Sequence, residues 1–273
     1  MGWRIWFLTF AFVSATAASE KEADAIARQA HAFDAAGRPD RAVVEYQKAI
    51  RLDPAKEAYY TELAHVLLRT QNFAEAITVL EYAQPRFPAS AQVALSLGVG
   101  YYGQRRFADA VGAFLNACKL DPDAEQPHLF LGRVLEHASA RMQEVTERFA
   151  QFVERNPNHW MGHFLLGKAS AQEEPLRKAI KLKPDFWEAH FELASVLEQK
   201  RDFPSAIAEY QLAAKCAPKH PQPHYRLYRL YVRTSQPEKA AAERALHEKL
   251  TADEKAELDR RQAEAKHMEL KTQ

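Results

Sequence analysis

The sequence has little glycine, 9 in 273 residues, and only two cysteines, Cys118 and Cys216. No P-loop, dinucleotide-binding glycine fingerprint, G-x-S-x-G or H-E-x-x-H occurs. The enzyme classes that those signatures mark are therefore not indicated. Two isolated cysteines supply no disulfide framework, and both read as small apolar packers. The formal net charge is only +1, so the basic excess of a nucleic-acid binder is missing and no nucleic acid is expected as partner. The one long apolar run, from Ile5 to Val13, falls short of the about 20 residues that a transmembrane helix needs. The remainder is ordinary for a soluble globular chain, 47% hydrophobic and 27% charged.

What is there is periodicity. Residues 91–123, AQVALSLGVGYYGQRRFADAVGAFLNACKLDPD, read as two amphipathic helices joined by a tight turn. Gly98, Ala110 and Ala117 sit where the helices approach closely, and Leu97, Tyr101 and Phe114 fill the space between them. One such pair cannot bury its apolar faces alone, so the unit should recur. It does. Pro54, Pro88 and Pro122 are 34 apart, as are Pro184 and Pro218. Twelve residues before the proline stand Ala42, Ala76, Ala110 and Ala206; eight before, Tyr46, Leu80, Phe114 and Tyr210. Five before stand Ala49, Ala83, Ala117, Ala179 and Ala213, and at the inter-helix turn come Phe73, Phe107 and Phe203.

This pattern resembles the tetratricopeptide repeat: 34 residues, a Leu-Gly step followed by an aromatic, then Ala, an aromatic, Ala and Pro. The resemblance implies an all-α, right-handed α-solenoid of antiparallel helix pairs, with about seven repeats over residues 18–250. Repeat four is irregular, with Pro157 falling 35 after Pro122 and Val145 and Phe152 in the small-residue slots. A phenyl ring in place of a methyl should splay its helices. Repeat five is short: Pro184 comes 27 after Pro157, and Glu173-Glu174-Pro175 is expected to open a shortened second helix reaching Lys183. Thr251-Ala252-Asp253-Glu254 has the form of a capping box, predicting a separate polar capping helix over 251–273.

Residues 1–17, MGWRIWFLTFAFVSATA, carry one arginine, a short apolar core and an A-x-A ending, the parts of a secretory signal peptide. The expected location is periplasmic or secreted, with an uncleaved, membrane-anchoring segment as the alternative. Removal of residues 1–17 leaves 36 basic and 36 acidic residues, and no membrane association is expected of the mature chain.

Four histidines, His128, His163, His190 and His224, each precede the Leu column by three residues and are expected to be partly buried packers with one hydrogen bond. His159 and His163 are four apart on a helix, a weak metal pair without a carboxylate or thiol, so no metal and no cofactor is assigned.

The resemblance places a ligand groove on the first helices of successive repeats, at positions two before, two after and five after the Leu column. Candidate wall residues are Tyr102, Arg133, Phe164, Lys168, Phe191, Tyr225 and Arg229, combining the aromatic and arginine types that anchor interfaces. Packing of the same aromatics against the next repeat is the competing reading. The Lys/Asn/Arg set that grips a C-terminal carboxylate in some relatives is missing, since Thr61, His65, Leu95 and Val99 occupy the matching sites. The function implied is a non-catalytic scaffold that binds a protein or peptide in its groove, in a bacterial envelope setting. A docking subunit of an enzyme or of a secretion or assembly complex is the alternative.

Overall fold

A computed structural model describes the backbone of residues 3–272 and the side chains of residues 19–265. The expected leader, residues 1–17, lies outside the described side chains. Among the described residues the chain is all-α, with no strand, and it divides into two units, Met1–Phe152 and Val153–Gln273. The first unit holds α1 (Trp3–Ala35), α2 (Pro39–Leu52), α3 (Glu57–Arg69), α4 (Phe73–Ala83), α5 (Ala91–Gly103), α6 (Phe107–Leu120), α7 (Glu125–Arg133) and most of α8 (Met142–Arg155). The second holds α9 (Trp160–Ser170), α10 (Glu173–Leu182), α11 (Trp187–Gln199), α12 (Phe203–Cys216), α13 (Pro221–Arg233) and α14 (Pro237–Thr272). Within each unit, first helices other than α7 pack broadly on their own second helices, and each second helix packs on the next first helix. Among the described residues, no helix is long and apolar enough to cross a membrane.

The alanine columns explain the pairing. Ala42, Ala76, Ala110 and Ala206 have no exposed surface, nor do Ala49, Ala83, Ala117, Ala179 and Ala213. A methyl group is all that fits where two backbones approach, and large residues one turn away fill the gaps: Tyr46, Leu80, Phe114 and Tyr210 are fully buried in the same helices. The Leu-Gly step is tighter still. A Cβ on Gly98 would overlap the Phe114 ring, and one on Gly167 would come within 3.0 Å of the Leu176 backbone nitrogen.

The turns inside the pairs share one geometry. Gly37, Gln71, Arg105, Arg201 and Ser235 take left-handed backbone, with φ of 71°, 61°, 60°, 64° and 56°. The next residue in each case donates its N–H to a carbonyl five residues back, as in Asn72 to Leu67 and Arg106 to Tyr101 (both 2.8 Å). This ends the first helix and turns the chain into the second. Only Gly37 takes that conformation without a Cβ penalty, so the remaining turns are held by what packs over them. Part of that packing comes from the phenylalanine that opens the second helix. Phe73 lies against Gly103 of the next first helix, Phe107 stacks flat on His137 at 3.9 Å, and Phe203 lies under Arg233 at 4.5 Å.

The irregular repeats differ in kind. In the fourth, the departure falls on the first helix: α7 has nine residues and gives way to two 3₁₀ turns, Leu135–His137 and Ser139–Arg141. No residue there takes left-handed backbone. Val145, Phe149 and Phe152 are buried, and the His128 ring stacks on Phe152 at 4.2 Å. In the fifth, α10 opens at Glu173 and ends at Leu182, close to the expected span, with Ala171 (φ 51°) serving as the turn. The capping box at Thr251 is not realised. The Thr251 hydroxyl donates to the His247 carbonyl four residues back (2.9 Å), and α14 runs unbroken through it. No glycine or proline stands between Glu238 and Thr272 to stop the helix, and its Ala, Glu, Lys and Arg residues are strong helix formers.

Gly98→Leu should destabilise the protein by about 1–3 kcal/mol, because the new side chain must displace the buried Phe114 ring. Chemical denaturation of the two proteins side by side measures this, and an unchanged midpoint would refute the pairing of α5 with α6.

Candidate functional site

Neighbouring first helices are linked side by side, α1 to α3 to α5 in the first unit and α9 to α11 to α13 in the second. In the first unit α3 also packs on α5, and side chains link α1 to α3. Asp24 accepts hydrogen bonds from the Lys56 ammonium and the Tyr59 hydroxyl, both at 2.5 Å, and Asp34 pairs with Arg69. The Lys56 hydrogen bond, followed by that from Tyr59, holds the Asp24 carboxyl below its ordinary range. In the second unit Lys168 of α9 pairs with Glu192 of α11 at 3.3 Å, and Glu198 of α11 lies 3.7 Å from Arg226 of α13 while accepting from the Tyr210 hydroxyl. Glu173, at the start of α10, takes both Lys200 and Arg177 at 2.9 Å, which lower its titration. Glu192 and Arg226 were not among the residues singled out by sequence. They are the opposite charges on adjacent first helices, and charge alternation along the wall was the available signal.

The candidate wall residues fall into three groups. Tyr102 is 40% exposed and meets Phe107 edge-on at 5.8 Å, while Arg133 is exposed over the Phe130 ring at 5.3 Å. Both belong to the first unit. In the second unit Phe164 is buried, with Phe186 of the next turn against it edge-on at 4.9 Å. Its neighbour Lys168 is exposed but committed to Glu192. Phe191 is half-buried between Tyr210 (5.3 Å) and the Arg226 guanidinium (5.8 Å). Tyr225 is 42% exposed, and Arg229, exposed one turn on, lies 5.9 Å from its ring. Val232 continues that face at 57% exposure. Residues 225, 229 and 232 are spaced i, i+4, i+7, so one side of α13 presents an aromatic, a cation and an aliphatic group together. Among the described residues Arg229 has no carboxylate partner. Exposure at the equivalent position thus rises along the unit, from Phe164 through Phe191 to Tyr225.

The histidine column is occupied as packing with backbone or carboxylate bonds. His128 Nδ1 donates to the Ala124 carbonyl (2.7 Å) and His163 Nε2 to the Pro157 carbonyl (2.9 Å). His190 and His224 each meet a glutamate through Nδ1, Glu209 and Glu243 respectively, both at 2.7 Å. His159 accepts from the Gly162 N–H through Nδ1 (3.0 Å), acting as the N-cap of α9, so neither member of the His159/His163 pair stands idle. Among the described residues no cluster of three or more metal-ligating side chains is found. Both cysteines are free thiols, and burial raises the Cys118 titration to about 12, which keeps it unreactive.

The sequence matches a tetratricopeptide repeat model over residues 35–97 and a second model of the same description over residues 95–140 and 173–221. No curated protein matches it. Among solved structures, a tetratricopeptide repeat protein from Parabacteroides merdae aligns with a TM-score of 0.55 at 15% identity, covering 84% of this chain and 93% of that one. YrrB, described as a TPR protein with an unusual peptide-binding site, aligns with a TM-score of 0.53 at 18% identity, covering 64% and 93%. MamA aligns with a TM-score of 0.50 at 18% identity, covering 59% and 97%. At these identities the likeness is one of fold.

The burial gradient separates two mutations of the same type. Phe164→Ala should cost about 3–5 kcal/mol by leaving a cavity beneath Phe186. Tyr225→Ala should stay within about 0.5 kcal/mol of wild type, as surface changes do. Denaturation midpoints of both variants check the contrast.

Proposed function

Because this chain belongs to the tetratricopeptide repeat family, we propose that it is a non-catalytic scaffold whose first-helix wall holds a segment of another protein. The open face of α13 carries this reading. In the preceding pairs the equivalent side chain is covered by the next elements of the chain, Phe164 by Phe186 and Phe191 by Tyr210 and Arg226. At Tyr225 the His247 ring of α14 lies alongside at 5.2 Å but leaves the side chain 42% exposed, and a partner segment covers the remainder as the next pair would. Exposed aromatic and arginine side chains are suited to the centre of such an interface. Lys168 and Arg226 face carboxylates within the unit, whereas Arg229 is left to a carboxylate of the partner. The bound segment is therefore apolar with some acidic character. YrrB supports a peptide as the kind of ligand, through similarity of fold alone.

The location we propose is outside the cytoplasm, periplasmic or secreted, on the strength of the charged start, short apolar run and Ala15-Thr16-Ala17 ending of residues 1–17. Ser19 donates its hydroxyl to the Leu52 carbonyl (3.0 Å), and Ala23 is the first fully buried residue described. A cut after Ala17 would leave those contacts intact.

Two experiments test these readings. Tagged full-length chain, expressed with its leader, should be recovered from the extracytoplasmic fraction lacking residues 1–17 by intact mass; a full-length mass in the cytosol would overturn the location. Affinity capture from the same fraction should yield partners that are lost when Tyr225→Ala and Arg229→Ala are combined in a protein of unchanged helical content. Partners retained by the double variant would remove α13 from the interface.

A further inference from the structure

His190 of α11 is held at both ends of its ring. Both of its ring nitrogens lie at hydrogen-bonding distance from acceptors: Nδ1 is 2.7 Å from the Glu209 carboxylate, and Nε2 is 3.1 Å from the Pro184 carbonyl. A carboxylate and a carbonyl can only accept, so both nitrogens must donate, which requires the imidazolium form. The residue is buried, at 5% exposure. His224 sits one repeat later against the equivalent glutamate, Glu243, yet its Nε2 is buried with no hydrogen-bond partner. The same carboxylate geometry therefore occurs twice, and only the copy at His190 has a second acceptor.

We propose that His190 is a proton-dependent clasp: its doubly protonated ring ties α11 to α12 and to the turn that precedes α11, and loss of one proton to solvent opens the second tie. In the neutral ring Nδ1–H still donates to Glu209, and the bare Nε2 lone pair then faces the Pro184 oxygen, lone pair against lone pair. The three connected segments meet one residue from Phe191, so the proton also governs how firmly this part of the wall is held.

The charged groups around the ring favour this assignment. From α12 come Glu209, bonded to it, and Cys216, whose thiol lies 3.8 Å from the same Pro184 carbonyl. From the turn before α11, Lys183 is directed over Trp160 and Phe186, at 4.1 and 5.7 Å. From α10, Glu173 is spent on Arg177 and on Lys200, ten residues along from His190 and so about 15 Å away. From the turn before α13, His220 stacks on Trp187 at 4.2 Å. Glu209 is thus the one charge that acts on the ring at close range, and its hydrogen bond raises the His190 titration above the ordinary value in spite of burial. A histidine whose folded value lies above its unfolded value of about 6.5 stabilises the fold fully below that pH. The contribution fades as pH rises through the folded value. Acidification toward pH 6 tightens the second unit, and mildly alkaline conditions loosen it.

The test uses the full chain alone, so its outcome is independent of whether a partner binds the wall. In a pH titration of the histidine ring signals by NMR, His190 should titrate above about 6.5 and show two slowly exchanging ring N–H protons at pH 6. Glu209→Gln keeps an acceptor but removes the charge, and should bring that titration down. The melting temperature of wild type should fall between pH 6.0 and 8.5. His190→Tyr should fold and lose most of that fall, since the Tyr60 hydroxyl already donates to the carbonyl of Pro54, six residues back, in the equivalent place (3.1 Å). A His190 titration at or below about 6.5, or one unmoved by Glu209→Gln, would overturn the clasp. So would an equal pH dependence of melting in His190→Tyr; should that variant melt early at every pH, the Glu209→Gln titration alone decides.

Discussion

The fold depends on one steric constraint: the two helices of a regular pair must approach so closely that only glycine or alanine fits at the crossing. Where Phe114 lies against Gly98, a ring occupies the space that the first Cβ would need. Such contacts bury a large apolar group while adding almost no side-chain volume on the other helix, which suits a chain with no single central core. Each pair solves the same packing problem, so the same residues return at the same spacing. Departures from the spacing show where the solution changes. In the fourth repeat Val145 and Phe152 replace the small residues, and the partner helix α7 is cut to nine residues and continued as 3₁₀ turns.

Passing the register from pair to pair requires links of a different kind. The phenylalanines that open second helices reach into the following repeat at Gly103, His137 and Arg233. The carbonyl of the closing proline is taken by the side chain six residues later, a tyrosine at Tyr60 and a histidine at His163 and His190. A proline terminates the second helix without offering an N–H, and its free carbonyl would otherwise be left near a buried helix start. Tyrosine and histidine both reach it, but only histidine changes its charge near neutral pH. At His190, where Glu209 takes the other ring nitrogen as well, the proposed clasp makes the link between repeats responsive to pH.

Much of this was legible in the sequence because it depends on spacing alone. The alanine columns, the Leu-Gly step and the start of α10 at Glu173 are local statements about which helix face must be small or where a helix begins. What spacing could not supply was the identity of the neighbour. Phe164, Phe191 and Tyr225 occupy one register position, yet Phe164 is buried and Tyr225 is 42% exposed. The difference lies in how far the neighbour covers each ring, Phe186 edge-on in the first case and His247, which leaves much of the ring exposed, in the last. Thr251-Ala252-Asp253-Glu254 has the composition of a helix start, but a cap forms only where the preceding helix has stopped, and nothing between Glu238 and Thr251 stops α14. The glutamate partners of His190 and His224 stand 19 residues away on the second helices, at positions the repeat pattern leaves unspecified.

Charge on the wall is arranged by the same neighbour logic. Lys168 faces Glu192 and Arg226 faces Glu198, each pair joining consecutive first helices, so these groups serve the stacking of the array before they serve any ligand. Exposed pairs of this kind contribute little stability each. On α13 no following first helix supplies an acid among the described residues, and Arg229 remains beside Tyr225 and Val232 with apolar surface on both sides. A partner that brings a carboxylate and apolar side chains to that face would complete the pattern that the chain itself uses between its earlier helices.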